Sequence, residues 1–288
     1  FPTRRSSDLL PNIEADSILK EVKIKPYYGR YILCLTLESE NPVTDNADMP
    51  NICAIDFGVS NFAAVVCNDG SSMLYKGGAV LSECQWFHKK RARAVSIITK
   101  GHEHMHASSK YLSALSRHHA DFVKDQCHKI SRSIINYCIE HHAGTLVLGE
   151  NKGWKQDCDM GSQNNQNFVS MPIGLLKQMI IYKASDAGIK TIMQEESYTS
   201  LADITAMDYI PIYGADDENA VFSGMRITRS LYRCFNGMII NADCNGAANI
   251  MRKAIPDAWN GITDFSFLAS PEVSGFHELN PLGIPDRK

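Results

Sequence analysis

The chain has 288 residues, 44% of them apolar and 21% charged, with a net charge of −3. This is the composition of a soluble globular protein with one large domain or two small ones. No apolar run reaches the roughly 18 residues needed to cross a bilayer, and the N-terminus lacks the continuous apolar stretch of a secretory signal. The nine cysteines (34, 53, 67, 84, 127, 138, 158, 234 and 244) form no C-x-x-C pair, which excludes a disulfide scaffold and a tetrahedral zinc ribbon. They are expected to be reduced thiols in a cytoplasmic protein.

The first nine residues, FPTRRSSDL, back-translate to a common sequencing-adapter sequence. They are set aside from fold reasoning, with the natural protein expected to differ and to extend further there. Alternation through Val22, Ile24, Tyr31, Leu33 and Leu35 around Gly29 predicts a β-hairpin over 20–38, and a Pro/Asn/Asp linker runs over 41–50. Buried strands are expected at 51–57 and 62–67, joined by the turn at Gly58–Asn61, with a third at 72–75.

A basic helix is expected over 85–100. From Ala120 the apolar positions Val123, Cys127, Ile130, Ile134 and Cys138 lie on one helical face, with Lys124, His128 and Arg132 off it. Residues 85–133 hold ten Lys/Arg against three acids, a local +7 that leaves −10 elsewhere. Such a segment in an acidic chain suits phosphate contact, although a charge run is often only a solvated face. Gly144 should break the helix, followed by a short apolar strand at 145–148.

Residues 156–167 read as a Gly/Asn/Gln-rich loop. A helix should run from Met171-Pro172 to Ala187, closed by Gly188, and a strand over 189–194. The stretch 200–238 is irregular, with an acidic run at Asp216–Glu218; 238–240 is short and apolar, and 243–253 helical. The Pro- and Gly-rich tail after Ala254 is expected to be partly disordered. Strands that first meander and then alternate with helices fit an α/β, mixed sheet flanked by helices.

Two acids stand at element ends. Asp56 closes an apolar strand before a Gly turn, and Asp243 opens a helix whose Gly246, Ala247 and Ala248 would allow close approach to a sheet. Taken singly, each has an ordinary alternative, a turn-initiating acid or a helix cap. Together they suggest a shared divalent-cation site, as phosphodiester hydrolysis requires. Candidates for a third acid follow the strands at 145–148 (Glu150) and 189–194 (Glu195, Glu196).

Six segments together, AIDFGVSN (54–61), KGWKQ (152–156), NNQNFVSMP (164–172), EESYTS (195–200), FSGMRITRSLYR (222–233) and INADCNGAANIMRK (240–253), resemble the TnpB/OrfB transposon-associated nucleases, relatives of type V CRISPR effectors. The resemblance implies an RNase H-like (RuvC-type) domain split over 51–257. It would be preceded by the end of a β-rich wedge domain over 10–50, carry a helical insertion at 84–143, and be followed by a tail at 258–288. By resemblance, Asp56 and Asp243 are the first and third catalytic, Mg²⁺- or Mn²⁺-binding acids. The second stays open between Glu196, taken first, and Glu150.

The implied activity is RNA-guided DNA cleavage with guide RNA and target DNA as partners. Lys89, Lys90, Arg91, Arg93, Lys124 and Arg132 would contact nucleic-acid backbone; Arg226, Arg229 and Arg233 form a second basic group or simply exposed strand residues. The family's four-cysteine zinc knuckle should follow residue 200, but LADITAMD stands there, so 200–238 is expected to fold without zinc. Two other readings are a nuclease-dead RNA-guided repressor and an actin/heat-shock-type ATPase. The latter shares the Ile-Asp-x-Gly-x-x-Asn pattern at 55–61 but needs a second Gly-rich phosphate loop, for which the single glycine of NADCNGAAN does not suffice.

Overall fold

The computed structural model describes residues 18–38, 46–101, 106–150, 171–214 and 220–280. The adapter-like start, the first half of the 41–50 linker, the 156–167 loop with Cys158, and the 216–218 acidic run lie outside the described residues.

Strands β1 (Ile18–Tyr27) and β2 (Arg30–Glu38) form the expected antiparallel hairpin. Tyr28 and Gly29 both take positive φ, 46° and 77°, the turn geometry that matches strand twist. The ribbon touches the main body through Tyr27, whose hydroxyl donates to Asp121 at 2.6 Å, and Arg117, which donates to the Tyr28 carbonyl.

The centre of the molecule is a six-stranded mixed sheet. Strands β3 (Asn51–Asp56), β4 (Asn61–Cys67) and β5 (Ser71–Lys76) make an antiparallel meander; β6 (Ala143–Glu150) runs parallel to β3, and β7 (Lys190–Glu195) parallel to β6. A late strand, β11 (Glu272–Ser274), adds itself parallel to β5, so the order is β11-β5-β4-β3-β6-β7. Every residue of β4 is buried, which is why it reads as a continuous apolar run.

Alternation along β3 divides the core in two. Cys53, Ile55 and Phe57 join a cluster with helices α1 (Gly78–Ile98), α2 (Lys110–Glu140) and α3 (Ile173–Asp186). Ala54 faces the other way, with Ala64, Val147 and helix α4 (Ala242–Ala254). The Val123–Cys138 stripe of α2 is buried as its spacing requires. Helix α1 begins seven residues earlier than expected because Val80 and Cys84 already reach the core. Gly188, at φ +69°, closes α3.

Two expectations are corrected. The end of α2 is not set by Gly144; the chain turns at His142, which takes φ +51°. Gly144 lies inside β6, where a Cβ would meet the carbonyl oxygens of Met49, Ala47 and Asn46 at 2.5–2.8 Å. The tail is not disordered over its described length: Trp259, Phe265 and Leu268 are buried. The Trp259 indole donates to the Ala248 carbonyl at 3.1 Å, and helix α5 (Phe276–Leu279) follows β11. Its aromatic residues outweigh its Pro and Gly content, because their burial against α4 offsets the cost of ordering the chain.

The irregular stretch holds β8 (Met225–Arg226) and β9 (Leu231–Arg233); β9 pairs with both β8 and β10 (Ile239–Asn241) in a small antiparallel sheet. Two buried aspartates tie it down. Asp203 accepts from the Thr205 and Phe235 amides, at 2.8 and 2.5 Å. Asp208 accepts from the Asp203 and Ser223 amides, at 2.9 and 2.8 Å.

The crowding at Gly144 is against backbone, which cannot yield. Gly144→Ala is therefore expected to lower stability by about 2 kcal/mol, read as a drop in the urea midpoint. Gly174→Ala, where the added methyl meets nothing within 4 Å, should be neutral or slightly stabilising.

Candidate functional site

Strands β3, β6 and β7 are mutually parallel, so their C-terminal ends open on one edge of the sheet, where ligands commonly bind in α/β folds. Asp56 is the last residue of β3, Glu150 the last of β6, and Glu196 follows β7. Glu150 stands in register with Glu195. Helix α4 brings Asp243 to the same edge.

The local sequence of α4 explains how. Asn241 is its N-cap: its side-chain oxygen accepts from the amides of Asp243 and Cys244, at 3.0 and 3.1 Å. Capping is thus done by Asn241, which frees the Asp243 carboxylate at a helix N-terminus that favours negative charge. That carboxylate accepts from Asn61 Nδ2 at 2.7 Å and from an Arg226 guanidinium nitrogen at 2.9 Å. Asn61 in turn accepts from Lys76 Nζ at 2.9 Å. A Cβ at Gly246 would lie 2.7 Å from Oδ2 of Asp56, so the glycine leaves room for that carboxylate.

Asp56 carries the strain of the site. Burial, then the charges of Glu196 and Asp243, push its carboxyl well above the usual range, against Arg226 and Lys177. Glu196 is pushed up to about 7, chiefly by burial, with Glu195 adding and Lys177 opposing. Its carboxylate lies against Gly149, where an added Cβ would displace it.

Glu195 is different. Burial works against its charge, but hydrogen bonds from Lys253 (2.7 Å) and the Ser197 amide (2.6 Å) prevail and hold its carboxyl below the usual range. Of the two adjacent glutamates, Glu196 is the one whose charge bears on Asp56. Glu150 is half-buried, and its charge reaches the same edge by supporting that of Lys177.

Lys177 of α3 was missed in the sequence. Its ammonium donates to the Gly149 carbonyl and lies 4.8 Å from the centroid of the Phe57 ring. Nothing in the linear pattern ties residue 177 to residue 56. Asn61, by contrast, stood within the AIDFGVSN segment and could have been found there.

Among the described residues, no three His, Cys, Asp or Glu side chains form a ready-made metal cage. The donor set is nevertheless chemically suited to a hard divalent cation: carboxylate oxygens only, with one of them disfavoured as an anion by two others.

The basic candidates divide. Lys89, Lys90, Arg91 and Arg93 are exposed on α1, and Lys124 and Arg132 on α2. Arg226 belongs to the acidic edge through its pairing with Asp243, and its Nε donates to the Arg229 carbonyl at 3.1 Å. Arg229 and Arg233 are exposed on the small sheet.

A family model described as a probable transposase, OrfB of the IS605 type, matches residues 34–155, and a second, the Cas12f1-like TNB domain, matches 174–250. The chain is similar to proteins named TnpB-like and Cas12f1. It is 28% identical over 228 residues to the CRISPR-associated endodeoxyribonuclease Cas12f1 of Sulfoacidibacillus thermotolerans, covering 75% of this chain and 48% of that protein. It is 26% identical over 212 residues to the TnpB-like protein ORF457 of Acidianus two-tailed virus, covering 71% and 42%. The chain thus spans about half the length of these curated relatives.

Its fold is similar to that of Cas12f1 in a complex with sgRNA and target DNA, with a TM-score of 0.55 at 18% identity, over 76% of this chain and 42% of that one. The TnpB/OrfB resemblance read from the six segments is thereby borne out. The first model contains Asp56 and Glu150, and the second contains Glu196, Arg226 and Asp243.

For Glu196, an acid near 4.5 when unfolded and about 7 when folded, the native state holds the proton more tightly across that window. Stability therefore falls as pH rises from about 4.5 to about 7, and above pH 7 the full cost of its charge is present. Without divalent cations, the urea midpoint should drop between pH 5 and pH 8. Glu196→Gln should flatten that drop and raise stability at pH 8 by about 1–3 kcal/mol.

Proposed function

We propose that this chain is the nuclease part of an RNA-guided DNA endonuclease of the TnpB/Cas12f kind, built on an RNase H-like, RuvC-type domain, in which Asp56, Glu196 and Asp243 are the catalytic acids. The observation that carries this is the gathering at one sheet edge of acids separated by up to 187 positions of sequence, with Asp56 disfavoured as an anion by Glu196 and Asp243. Its relatives named as nucleases support the reaction class.

Asp56, Glu196 and Asp243 would hold Mg²⁺ or Mn²⁺, with Glu150 the alternative second acid. The cation, when bound, supplies a Lewis acid for the phosphate and a more acidic water at neutral pH. The protein's own part is to hold the carboxylates in place. Gly246 sets the depth of Asp56, Asn61 and Arg226 orient Asp243, and burial behind Gly149 keeps Glu196 turned inward. Target choice would be delegated to base pairing with a guide RNA, with sgRNA and target DNA as in the Cas12f1 complex. The exposed cations Lys89, Lys90, Arg91, Arg93, Lys124 and Arg132 would meet phosphates, as would Arg229 and Arg233.

The test is Mg²⁺-dependent cleavage of a matched DNA by the protein from its intact locus, co-expressed with RNA from that locus. Asp56→Ala and Asp243→Ala should each reduce cutting by about three orders of magnitude or more while leaving guide binding intact. Glu196→Ala should do the same and Glu150→Ala should cost much less. The reverse order would make Glu150 the second acid. A wild type that binds guide and target but never cuts would remove the catalytic assignment.

A further inference from the structure

We propose that Lys177 is an internal counter-cation of the acidic edge, which steadies Asp56, Glu196 and Glu150 when no metal is bound and competes with the divalent cation for them. The proposal rests on the reading of these carboxylates as a cation site.

The placement is unusual for a helix residue. The α3 neighbours Leu176, Met179 and Ile180 are buried in the apolar core, and an apolar residue would serve at 177 if packing alone decided. Instead an ammonium is half-buried there. Its hydrogen bond goes to the Gly149 carbonyl rather than to a carboxylate. On one side it lies against the ring of Phe57, the residue after Asp56. On the other is Gly149, which Glu196 presses on and Glu150 follows. One positive charge is thereby set among the ends of three strands that each carry an acid.

Burial alone would make the ammonium costly. Burial still leaves its proton held less tightly than an ordinary lysine's, but the charges of Glu196, Glu150 and Asp56, in that order, oppose that cost. The same arrangement sets a limit on the metal. A dication among these acids meets a fixed positive charge close by, and the repulsion weakens its binding. Because Lys177 is tethered to a carbonyl, its charge stays at the edge when the dication arrives.

The experiment is direct Mn²⁺ binding to the full 288-residue chain, followed by the electron paramagnetic resonance signal of free Mn²⁺. It compares wild type, Lys177→Met, Lys177→Arg and Asp56→Asn, with Lys177→Gln as a second neutral variant should the Met variant aggregate. The neutral variant should bind Mn²⁺ about tenfold tighter than wild type, and Lys177→Arg should stay near wild type. In urea, the neutral variant should be less stable than wild type without metal and gain more from added Mn²⁺. Unchanged or weaker Mn²⁺ binding by the neutral variant overturns the counter-cation role. If Asp56→Asn binds Mn²⁺ as wild type does, the cation-site reading itself is what fails. If Asp56→Asn abolishes binding while Lys177→Met leaves it unaltered, only the role of Lys177 falls. If no form binds Mn²⁺, both are overturned.

Discussion

A Cβ at Gly246 would stand 2.7 Å from the carboxylate of Asp56, so helix α4 meets the sheet with a glycine against that side chain. The helix presents Gly246, Ala247 and Ala248, the strands answer with Ala54 and Ala64, and all of these are buried. Small residues on both sides allow backbone-to-backbone approach that larger side chains would prevent. Only with the helix at that depth does Asp243 reach Asn61, a residue on β4 that lies 182 positions earlier. The aromatic residues after α4 then cover its outer side, with Trp259 bonded to Ala248. The tail is thus part of the support for the acidic edge.

Bringing acids to one edge raises the free energy of the empty protein, and the surrounding groups limit that cost in different ways. Asp243 is relieved by two donors and by the helix terminus it sits on. Glu195 is withdrawn into a pair with Lys253. Asp56 and Glu196 are left with the least relief, and burial pushes both carboxyls upward. Groups poised in this way are characteristic of sites that act on a ligand, although ion-pair networks can produce the same signature. Here the charge of Glu196, one of the two least-relieved acids, bears on the other, Asp56.

The 200–238 stretch shows how a short, loop-rich unit can be ordered by carboxylates. Asp203 and Asp208 each collect several backbone and hydroxyl donors. Tyr232 fills the space over Gly224, and its hydroxyl donates to the Leu201 carbonyl at 2.7 Å. Asn245 and Asn249 of α4 then donate to the carbonyls of Ala202 and Thr199. The unit is fastened to the same helix that carries Asp243, so its order and that of the acidic edge are linked.

The strands and helices were legible because their periodicities are strong: the all-apolar β4, the 4-3-4-4 stripe of α2, and the glycine that ends α3. The positions of Asp56 at a strand end and Asp243 in a helix's first turn were legible because each stands beside small residues. The choice between Glu150 and Glu196 was not, and the register explains why. Glu150 and Glu195 are cross-strand partners, so the acids of both strand ends fall within one neighbourhood, and linear spacing cannot rank them. The structure distinguishes their surroundings: the carboxylate of Glu196 lies against Gly149, a property of packing across strands. Lys177 was hidden for the same reason, since its role depends on which carbonyl and which ring it meets. Sequence patterns report the face of an element; the edge where three elements end is decided by side chains from all of them at once.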